Sequence, residues 1–326
     1  GVVDFMIHYD TLGSFAINDE DLDENEIPDY IDLICEGADS VKKVLNVEMG
    51  YLEEYDDTDD IYDIYIDIDN QGGSSLWGQH VSDGIGSYIR MRDSYSGMSE
   101  RCSSEKDKVW LTIAHEFFHA IQKRYNSNAQ SYFKEMTSMW FEAVFVPSCY
   151  DFLDFVESSG GAFKNPERDF NHQTSASWGY SLSMYPHYLT HFLGENIMKV
   201  IWEDYNSGAA FPSLQQTLQG QGTTFPNTWV GFMSSNIYNS ALASEHDIYY
   251  HPSQAESEPI KTILLDYKDY ETLENVELDN KSVSVVSFDV SRQSSINIDH
   301  SFSNFIGKHS ILSSNQNSSG IVDISS

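Results

Sequence analysis

The chain has 326 residues, and its 51 acidic and 18 basic residues give a formal net charge of −33 at pH 7. This excess of negative charge repels phosphate groups, so nucleic acids and anionic membrane surfaces are not expected as partners. The length is sufficient for a sizeable core and predicts two domains, while no apolar stretch approaches the roughly 18 residues of a membrane span.

The chain begins with Gly1-Val-Val-Asp4 and shows no signal peptide, so we expect the mature or trimmed form of an exported protein. Its acidity suits solubility outside the cell, and we predict a secreted monomer. Cys102 and Cys149 are candidates for a disulfide and Cys35 is expected to be free and buried, although three cysteines leave the connectivity open.

The first predicted feature in chain order is an acidic loop, Asp21-Leu-Asp-Glu-Asn-Glu-Ile-Pro-Asp-Tyr-Ile-Asp32. Its oxygen donors follow the spacing of an EF-hand calcium loop, except that Glu26 replaces the glycine and Asp32 the final glutamate. The alternative is an acidic start to a helix running from Pro28 to Val47. We predict a structural calcium site whose ligands are Asp21, Asp23, Asn25, the carbonyl of Ile27, and Asp32.

A strand is predicted next, because Tyr62, Ile64, Ile66 and Ile68 alternate with polar residues and leave one acidic face. Two interpretations of this strand remain open. It is either the edge strand of a cleft that pairs with extended substrate, or a strand with one face in solvent. A glycine-bearing loop near Gly72-Gly73 and a strand from Ser87 to Met91 follow.

The segment from Val109 to Gln122 contains the motif His-Glu-x-x-His, formed by His115, Glu116 and His119. Histidines four residues apart on a helix point the same way and can hold one zinc ion, and the intervening glutamate can serve as general base. On this helix the two histidines lie opposite an apolar stripe. The stripe consists of Trp110, Ile113, Ala114, Phe117, Phe118 and Ile121.

A catalytic zinc ion commonly has three protein ligands and one open position, so a third ligand is required. The next donors are Glu135 and Glu142, which lie on one face of a second predicted helix between Tyr132 and Phe145. Seven residues separate them, or roughly 10 Å along a helix, so only one can bind the same ion.

His-Glu-x-x-His followed by a helical glutamate resembles the gluzincins. In aminopeptidase-N-type gluzincins the ligand opens a run Glu-Gly-x-Ala-x-x-x-Glu, and residues 135 to 142 have that outline, with Met136 and Ser138 in place of glycine and alanine. The gap after His119 is also shorter than in the aminopeptidases. The resemblance implies Glu135 as the zinc ligand and Glu142 as a supporting carboxylate.

Short segments spread over residues 3 to 205 carry a second resemblance. They are Phe5–Tyr9, Asn25–Tyr30, Tyr62–Asp67, His115–Gln122, Trp178–Tyr180, His187–Leu189 and Val200–Glu203. Together they resemble a family of secreted bacterial metalloproteases first recognised in myxobacteria. That resemblance implies zinc-dependent peptide hydrolysis, export, and additional β modules toward the C-terminus.

The rest of the chain predicts an α+β fold with a β-rich end. Residues 109 to 250 are expected to be mainly helical, whereas Ser282–Asp289 and Ser295–Asp299 have the alternation of short strands. We predict a zincin-like catalytic domain over 1–254, with subdomains of about 1–124 and 125–254. A β-sandwich-like module, cut short at Ser326, is predicted over 255–326.

The predicted function is that of a secreted zinc metalloendopeptidase acting on proteins or peptides, with Glu116 as general base on a zinc-activated water. The alternatives are a zinc exopeptidase or glycopeptidase, or a non-catalytic calcium-dependent surface-binding protein. A further donor is needed for the oxyanion, and Tyr180 is preferred. The full set of candidate donors is Tyr180, Tyr185, Tyr188, His172 and His187.

Overall fold

The structure is a computed structural model that describes residues 4–55, 61–68, 75–172, 176–205, 208–265, 281–283, 286–288, 310–315 and 318–323. Within these residues the fold combines a small mixed sheet with a larger set of helices, so the predicted α+β class is confirmed. None of the described helices is both long enough and apolar enough to cross a bilayer.

The main sheet has four strands in the order β1-β2-β4-β3. Strand β2 pairs in parallel with both β1 and β4, whereas β3 is antiparallel to β4. The strands are β1 (Phe5–His8), β2 (Tyr62–Ile68), β3 (Gly78–Asp83) and β4 (Gly86–Arg92).

Strand β2 has the predicted alternation, with Ile64 and Ile66 buried and Asp63, Tyr65 and Asp67 partly exposed. Its interpretation as an edge strand is wrong, because β1 and β4 flank it on both sides. Alternation reports which face of a strand is buried and carries no information about its neighbours. Among the described residues, β3 is the edge strand that packs against the His-Glu-x-x-His helix.

Helices occupy most of the described chain after the sheet, as predicted for residues 109 to 250. The helices are α1 (Asp29–Lys42), α2 (Glu105–Tyr125), α3 (Ser131–Phe145), α4 (Leu153–Val156), α5 (Ala176–Ser181), α6 (Met184–Leu193), α7 (Ile197–Asp204), α8 (Ala210–Gly220), α9 (Phe225–Ser235) and α10 (Ser253–Glu256). A π-helical segment, Lys43–Glu48, continues α1, and a short 3₁₀ turn spans Ala243–Glu245.

Helix α1 confirms the helix predicted after Pro28 and packs closely on α2. A Cβ at Gly37 would lie 2.8 Å from a ring carbon of Trp110 and 2.9 Å from the Cδ1 of Ile113, so only glycine fits this crossing. Cys35 lies on the opposite face of α1 and is exposed, which corrects the expectation that this thiol is buried. Its neighbours Ile34 and Ala38 take the buried positions instead.

Helix α2 is buried on nearly all sides. The Ser104 hydroxyl caps its start by accepting a hydrogen bond from the backbone N–H of Asp107 at 3.1 Å. Strand β3 and helix α1 pack against this helix, and α3 packs against it as well. The histidines opposite the apolar stripe are therefore covered too, and His115 and His119 are each 8% exposed.

A disulfide joins Cys102, just before α2, to Cys149, just after α3. The sequence left this connectivity open, and the structure places the two Cα atoms 4.5 Å apart. The bond closes a loop with a sequence separation of 47 residues. In the chain-entropy estimate, a crosslink of this length stabilises the fold by about 4 kcal/mol.

Part of the predicted C-terminal module is described. Strand β5 (Ile263–Leu265) pairs in parallel with β6 (Val286–Phe288), and β7 (Ser310–Asn315) pairs antiparallel with β8 (Ser318–Asp323). The predicted strand at 295–299 and the loop near residues 72 and 73 lie outside the described residues. A β-sandwich and the domain boundary at 254 stay predictions.

Two histidines, the buried His187 and the partly buried His251, stack on each other beyond α4. The rings of His187 and His251 lie 4.0 Å apart at 25°, next to the rings of Phe152 and Tyr150. The Nε2 of His187 is buried without a hydrogen-bond partner among the described residues. Burial, with His251 adding to it, holds the pKa of His187 well below its usual range, and burial lowers the pKa of His251 to about 4.

This pair predicts a loss of stability in mild acid. Above pH 6.5 the His251 imidazole is neutral in both the folded and the unfolded protein. Between pH 6.5 and about 4 it binds a proton in the unfolded chain but stays neutral in the folded protein. We expect the free energy of unfolding to fall by about 2 kcal/mol for His251 alone between pH 7 and pH 5. Melting temperatures of wild type and His251→Phe at both pH values would test this.

The variant should show a shallower pH dependence than wild type, whatever its stability at pH 7. His191→Phe serves as the control, because His191 lies on the same helix as His187 but is exposed. Equal slopes for His251→Phe and wild type would contradict the prediction.

Candidate metal centre

Three side chains from two adjacent helices converge in the core. His115 and His119 come from α2 and Glu135 from α3, and their ligand atoms lie within 4.8 Å of one another. The Oε2 of Glu135 is 3.0 Å from the Nε2 of His115 and 3.2 Å from the Nε2 of His119. This buried group could hold a metal ion.

The spacing of these atoms fits a small tetrahedral ion. With metal–ligand bonds of about 2.0–2.1 Å, tetrahedral geometry places neighbouring donors roughly 3.3 Å apart. The two distances from Glu135 agree with that value. Two imidazole nitrogens and one carboxylate oxygen are also the donor set of many catalytic zinc sites.

Both histidines are oriented by hydrogen bonds at Nδ1. The Nδ1 of His115 contacts the Oε1 of Glu142, and the Nδ1 of His119 lies 2.8 Å from the Oε1 of Gln122. When Nδ1–H donates to such an acceptor, the imidazole carries its proton on Nδ1, and the Nε2 lone pair is left for a metal. Glu142, the other candidate ligand in the sequence, therefore contacts the Nδ1 side of His115 and orients its ring.

Gln122 was not recognised from the sequence as part of the site. Its side-chain nitrogen faces α3, where it is 3.0 Å from each of the Lys134 carbonyl, the Thr137 hydroxyl and the Ser138 hydroxyl. The amide oxygen is thereby turned toward His119. Gln122 follows His119 by three residues, but that spacing alone does not reveal the contacts with α3.

The charges within the group favour the ionised form of the Glu135 carboxylate. Burial alone would raise the pKa of Glu135, but His119 and His115 outweigh it and hold that pKa far below its usual range. The pKa of Glu142, which contacts the other nitrogen of His115, shifts in the opposite direction. Burial and the nearby charge of Asp151 raise it well above its usual range. Burial also raises the pKa of Asp151, to about 6.

Glu116 lies against the edge strand. Its Oε2 accepts a hydrogen bond of 2.7 Å from the backbone N–H of His80 on β3. The strand approaches this closely because residue 78 is glycine: a Cβ there would lie 2.6 Å from the Cγ2 of Thr112 and 2.9 Å from the Cγ of Glu116. The predicted general base is thus held at the border between helix and sheet.

His80 is a third histidine beside the group. Its ring centroid lies 5.9 Å from that of His119, at an angle of 59°. Burial, followed by the charge of His119, lowers the pKa of His80 to about 3. No spacing in the sequence connects residue 80 with the motif at residues 115 to 119, so sequence analysis missed it.

Tyr180 contacts the other histidine. Its ring centroid lies 6.0 Å from that of His115, and burial raises its pKa to about 12, so the phenol stays protonated and able to donate. The preceding Gly179 brings α5 close to α3, because a Cβ there would lie 2.3 Å from the Tyr132 carbonyl oxygen and 2.9 Å from the Glu135 Cβ.

The other predicted oxyanion donors have different surroundings. Tyr185 shares a hydrogen bond of 2.7 Å with Thr228, and His187 stacks on His251. The hydroxyl of Tyr188 lies against Gly231, and the ring of His172 lies beside that of Trp178. Among these five candidates, and within the residues that the structure describes, Tyr180 is the one whose ring contacts a histidine of the candidate metal group.

The acidic loop near the N-terminus brings three carboxylates together. Ligand atoms of Asp21, Asp23 and Asp29 lie within 4.8 Å of one another. Two other predicted ligands bond to each other, because the side-chain nitrogen of Asn25 donates to the Oδ2 of Asp32 at 2.8 Å. Exposed acidic groups of this kind occur without a metal, so calcium stays a prediction here.

The backbone of this loop resembles a calcium-binding turn in one respect. Glu26, at the position where an EF-hand has glycine, takes a φ of +73°. The backbone N–H of Ile27 donates to the Oδ1 of Asn25 at 2.7 Å. The sequence departure at Glu26 is thus accommodated by a left-handed backbone, at some cost in strain.

Comparisons with known proteins assign no family. A scan against protein-family models finds no match to the chain, and a search of the curated proteins finds no relative. The resemblance to gluzincins and to secreted bacterial metalloproteases therefore rests on the residues that carry it and stays a prediction.

Proposed function

We propose that this protein is a secreted zinc-dependent metalloendopeptidase of the zincin-like type. The observation that carries the proposal is the convergence of His115, His119 and Glu135, with Glu116 between the two histidines in sequence. A hydrolase needs a general base such as Glu116 beside its His₂Glu donor set, whereas a metal site with only a structural role does not.

Zinc held by His115, His119 and Glu135 would lower the pKa of its bound water toward neutrality and polarise the scissile carbonyl. Glu116 accepts the proton of the attacking water and passes it to the leaving amine. Its hydrogen bond to the N–H of His80 keeps the carboxylate turned toward the strand side of the site. Tyr180, protonated beside His115, can donate to the oxygen of the substrate carbonyl.

Strand β3 supports the zincin-like interpretation. It is an antiparallel edge strand packed on the helix that bears the motif, so an extended peptide can add to its free side. Because the N–H of His80 is donated to Glu116, it points away from β4. Residues 78 and 82, two positions away on the same strand, direct their backbone groups to the same side.

The disulfide between Cys102 and Cys149 supports the proposed export, because such bonds persist mainly in oxidising compartments. The strong negative charge is consistent with a protein kept soluble outside the cell.

Digestion of a diverse library of peptides blocked at both ends tests the proposed function, with the zinc content of the protein measured in parallel. We expect internal cuts that disappear when zinc is removed and return when it is restored. Cleavage of unblocked peptides alone would indicate an exopeptidase. Cleavage of glycosylated peptides alone would indicate a glycopeptidase, and no cleavage by zinc-loaded protein would favour a binding protein.

We also propose that calcium binds the acidic loop and stabilises the start of α1. Saturating calcium is expected to raise the melting temperature, because an ion that binds the folded state alone stabilises it by mass action. Protein loaded with zinc should be melted with and without added calcium, so that no chelator disturbs the other site.

Asp21→Asn combined with Asp23→Asn should abolish the calcium-dependent increase, since these two carboxylates belong to the converging group. Asp107→Asn, in the first turn of α2 and partly exposed, is the control and should retain it. An equal melting temperature with and without calcium would show that the loop is only an acidic helix start.

A further inference from the structure

His80 has features that the proposed reaction does not yet use. Its ring lies on the edge strand beside the ring of His119, and its backbone N–H holds Glu116. The side chain is thus next to a metal-ligand candidate while its main chain holds the general base. No other histidine of the described chain has both contacts.

The position of His80 is fixed by the main chain. The hydrogen bond to Glu116 and the close contact of Gly78 with Thr112 hold β3 on α2, and neither involves the imidazole. A substitution at residue 80 therefore leaves both of these contacts available. The imidazole is not needed for either contact, so it is available to bind a ligand.

The imidazole carries an unsatisfied nitrogen. The Nε2 of His80 is buried and has no hydrogen-bond partner among the described residues. Buried polar atoms are paired in most proteins, and an unpaired one at a functional site commonly marks a place where a ligand or water completes the bond. His80 does not belong to the group of ligand atoms within 4.8 Å of one another, so it is not a fourth ligand in this arrangement.

We propose that His80 is a catalytic residue whose Nε2–H donates to the scissile carbonyl oxygen of the substrate as that oxygen becomes an oxyanion. This inference rests on the proposed peptidase function. A peptide added to β3 passes directly by residue 80, and Glu116 and His119 place the reacting bond beside it. Tyr180 lies beside His115, so each of the two histidine ligands has one donor next to it.

The test compares wild type with His80→Phe, His80→Gln and His80→Asn in the full chain. Phenylalanine keeps an aromatic ring at this position but has no donor. The amide nitrogen of glutamine reaches the place of Nε2, whereas that of asparagine reaches the place of Nδ1. Gln79→Ala, on the same strand, is the control.

Three measurements are made on each variant: zinc affinity by chelator competition, kcat and KM on a blocked peptide, and binding of a peptide with a tetrahedral phosphinic group at the cleavage position. We expect His80→Phe to lower kcat by 10²- to 10³-fold, a typical loss for one oxyanion donor. Binding of the phosphinic peptide should weaken, with zinc affinity and KM within about threefold of wild type. Glutamine should restore part of the loss and asparagine none.

Two results would overturn the inference while leaving the proposed function intact. In one, His80→Phe retains kcat and phosphinic-peptide binding within about threefold of wild type. In the other, zinc affinity falls with kcat, which would make His80 a ligand or a purely structural residue. If His80→Phe does not fold, the glutamine–asparagine comparison decides alone, and equal loss in both overturns the inference. Failure of wild type to cut any peptide would refute the proposed function, and the inference with it.

Discussion

Glu135→Gln is expected to lose zinc, whereas Glu142→Gln is expected to keep it. The amide removes the charged oxygen that lies 3.0 and 3.2 Å from the two histidine nitrogens, and a neutral amide is a poor zinc ligand. Glutamine at residue 142 still offers an oxygen to the Nδ1–H of His115, so the ligand stays oriented. The two substitutions are chemically identical, which makes each the control of the other.

Zinc content after dialysis and the dissociation constant from chelator competition provide the measurement. For Glu142→Gln we expect a 10- to 100-fold weaker affinity at most, the usual effect of changing a partner behind a ligand. Peptidase activity should vanish in Glu135→Gln and recover only partly at high zinc concentration. Zinc lost from Glu142→Gln and retained by Glu135→Gln would show that the ligand has been assigned to the wrong glutamate.

Glu116→Gln is expected to lower kcat by about 10³- to 10⁴-fold, near the upper limit for loss of general acid–base catalysis. The amide oxygen can still accept the hydrogen bond from the N–H of His80, so the strand remains docked and the metal group is untouched. Zinc affinity and melting temperature should therefore stay close to those of wild type. Steady-state kinetics on a blocked peptide, with zinc measured on the same samples, checks all three values.

Glu203→Gln is the matched control, since Glu203 is on another helix and pairs with Lys199. Activity of Glu116→Gln within tenfold of wild type would mean that another group accepts the proton. Loss of zinc from this variant would instead identify Glu116 as part of the metal-binding set.

Much of the local structure was predictable from the sequence. The period of apolar residues predicted α2, and the absence of glycine and proline before Pro147 predicted α3. The alternation in β2 predicted which of its faces is buried. The spacing of His115 and His119 predicted that their nitrogens converge, because helix geometry alone brings residues four apart together.

What the sequence did not predict depends on contacts between distant segments. The position of β3 at the edge follows from pairing with β4, and the contact of His80 with Glu116 spans 36 residues of chain. The orientation of Gln122 depends on hydroxyls of α3. Cys35 was wrongly predicted to be buried, because the helical pattern of α1 does not show which of its faces are covered by other elements.

The disulfide has a consequence for how the site responds to substrate. His115, His119 and Glu135, with Glu142 and Gln122 behind them, all lie between Cys102 and Cys149. The whole candidate metal group thus belongs to one covalently closed segment of the chain, while β3 and α5, which carry His80 and Tyr180, lie outside it. In the proposed peptidase, a movement of β3 or α5 on substrate entry would leave intact the covalently closed segment that carries the candidate ligands.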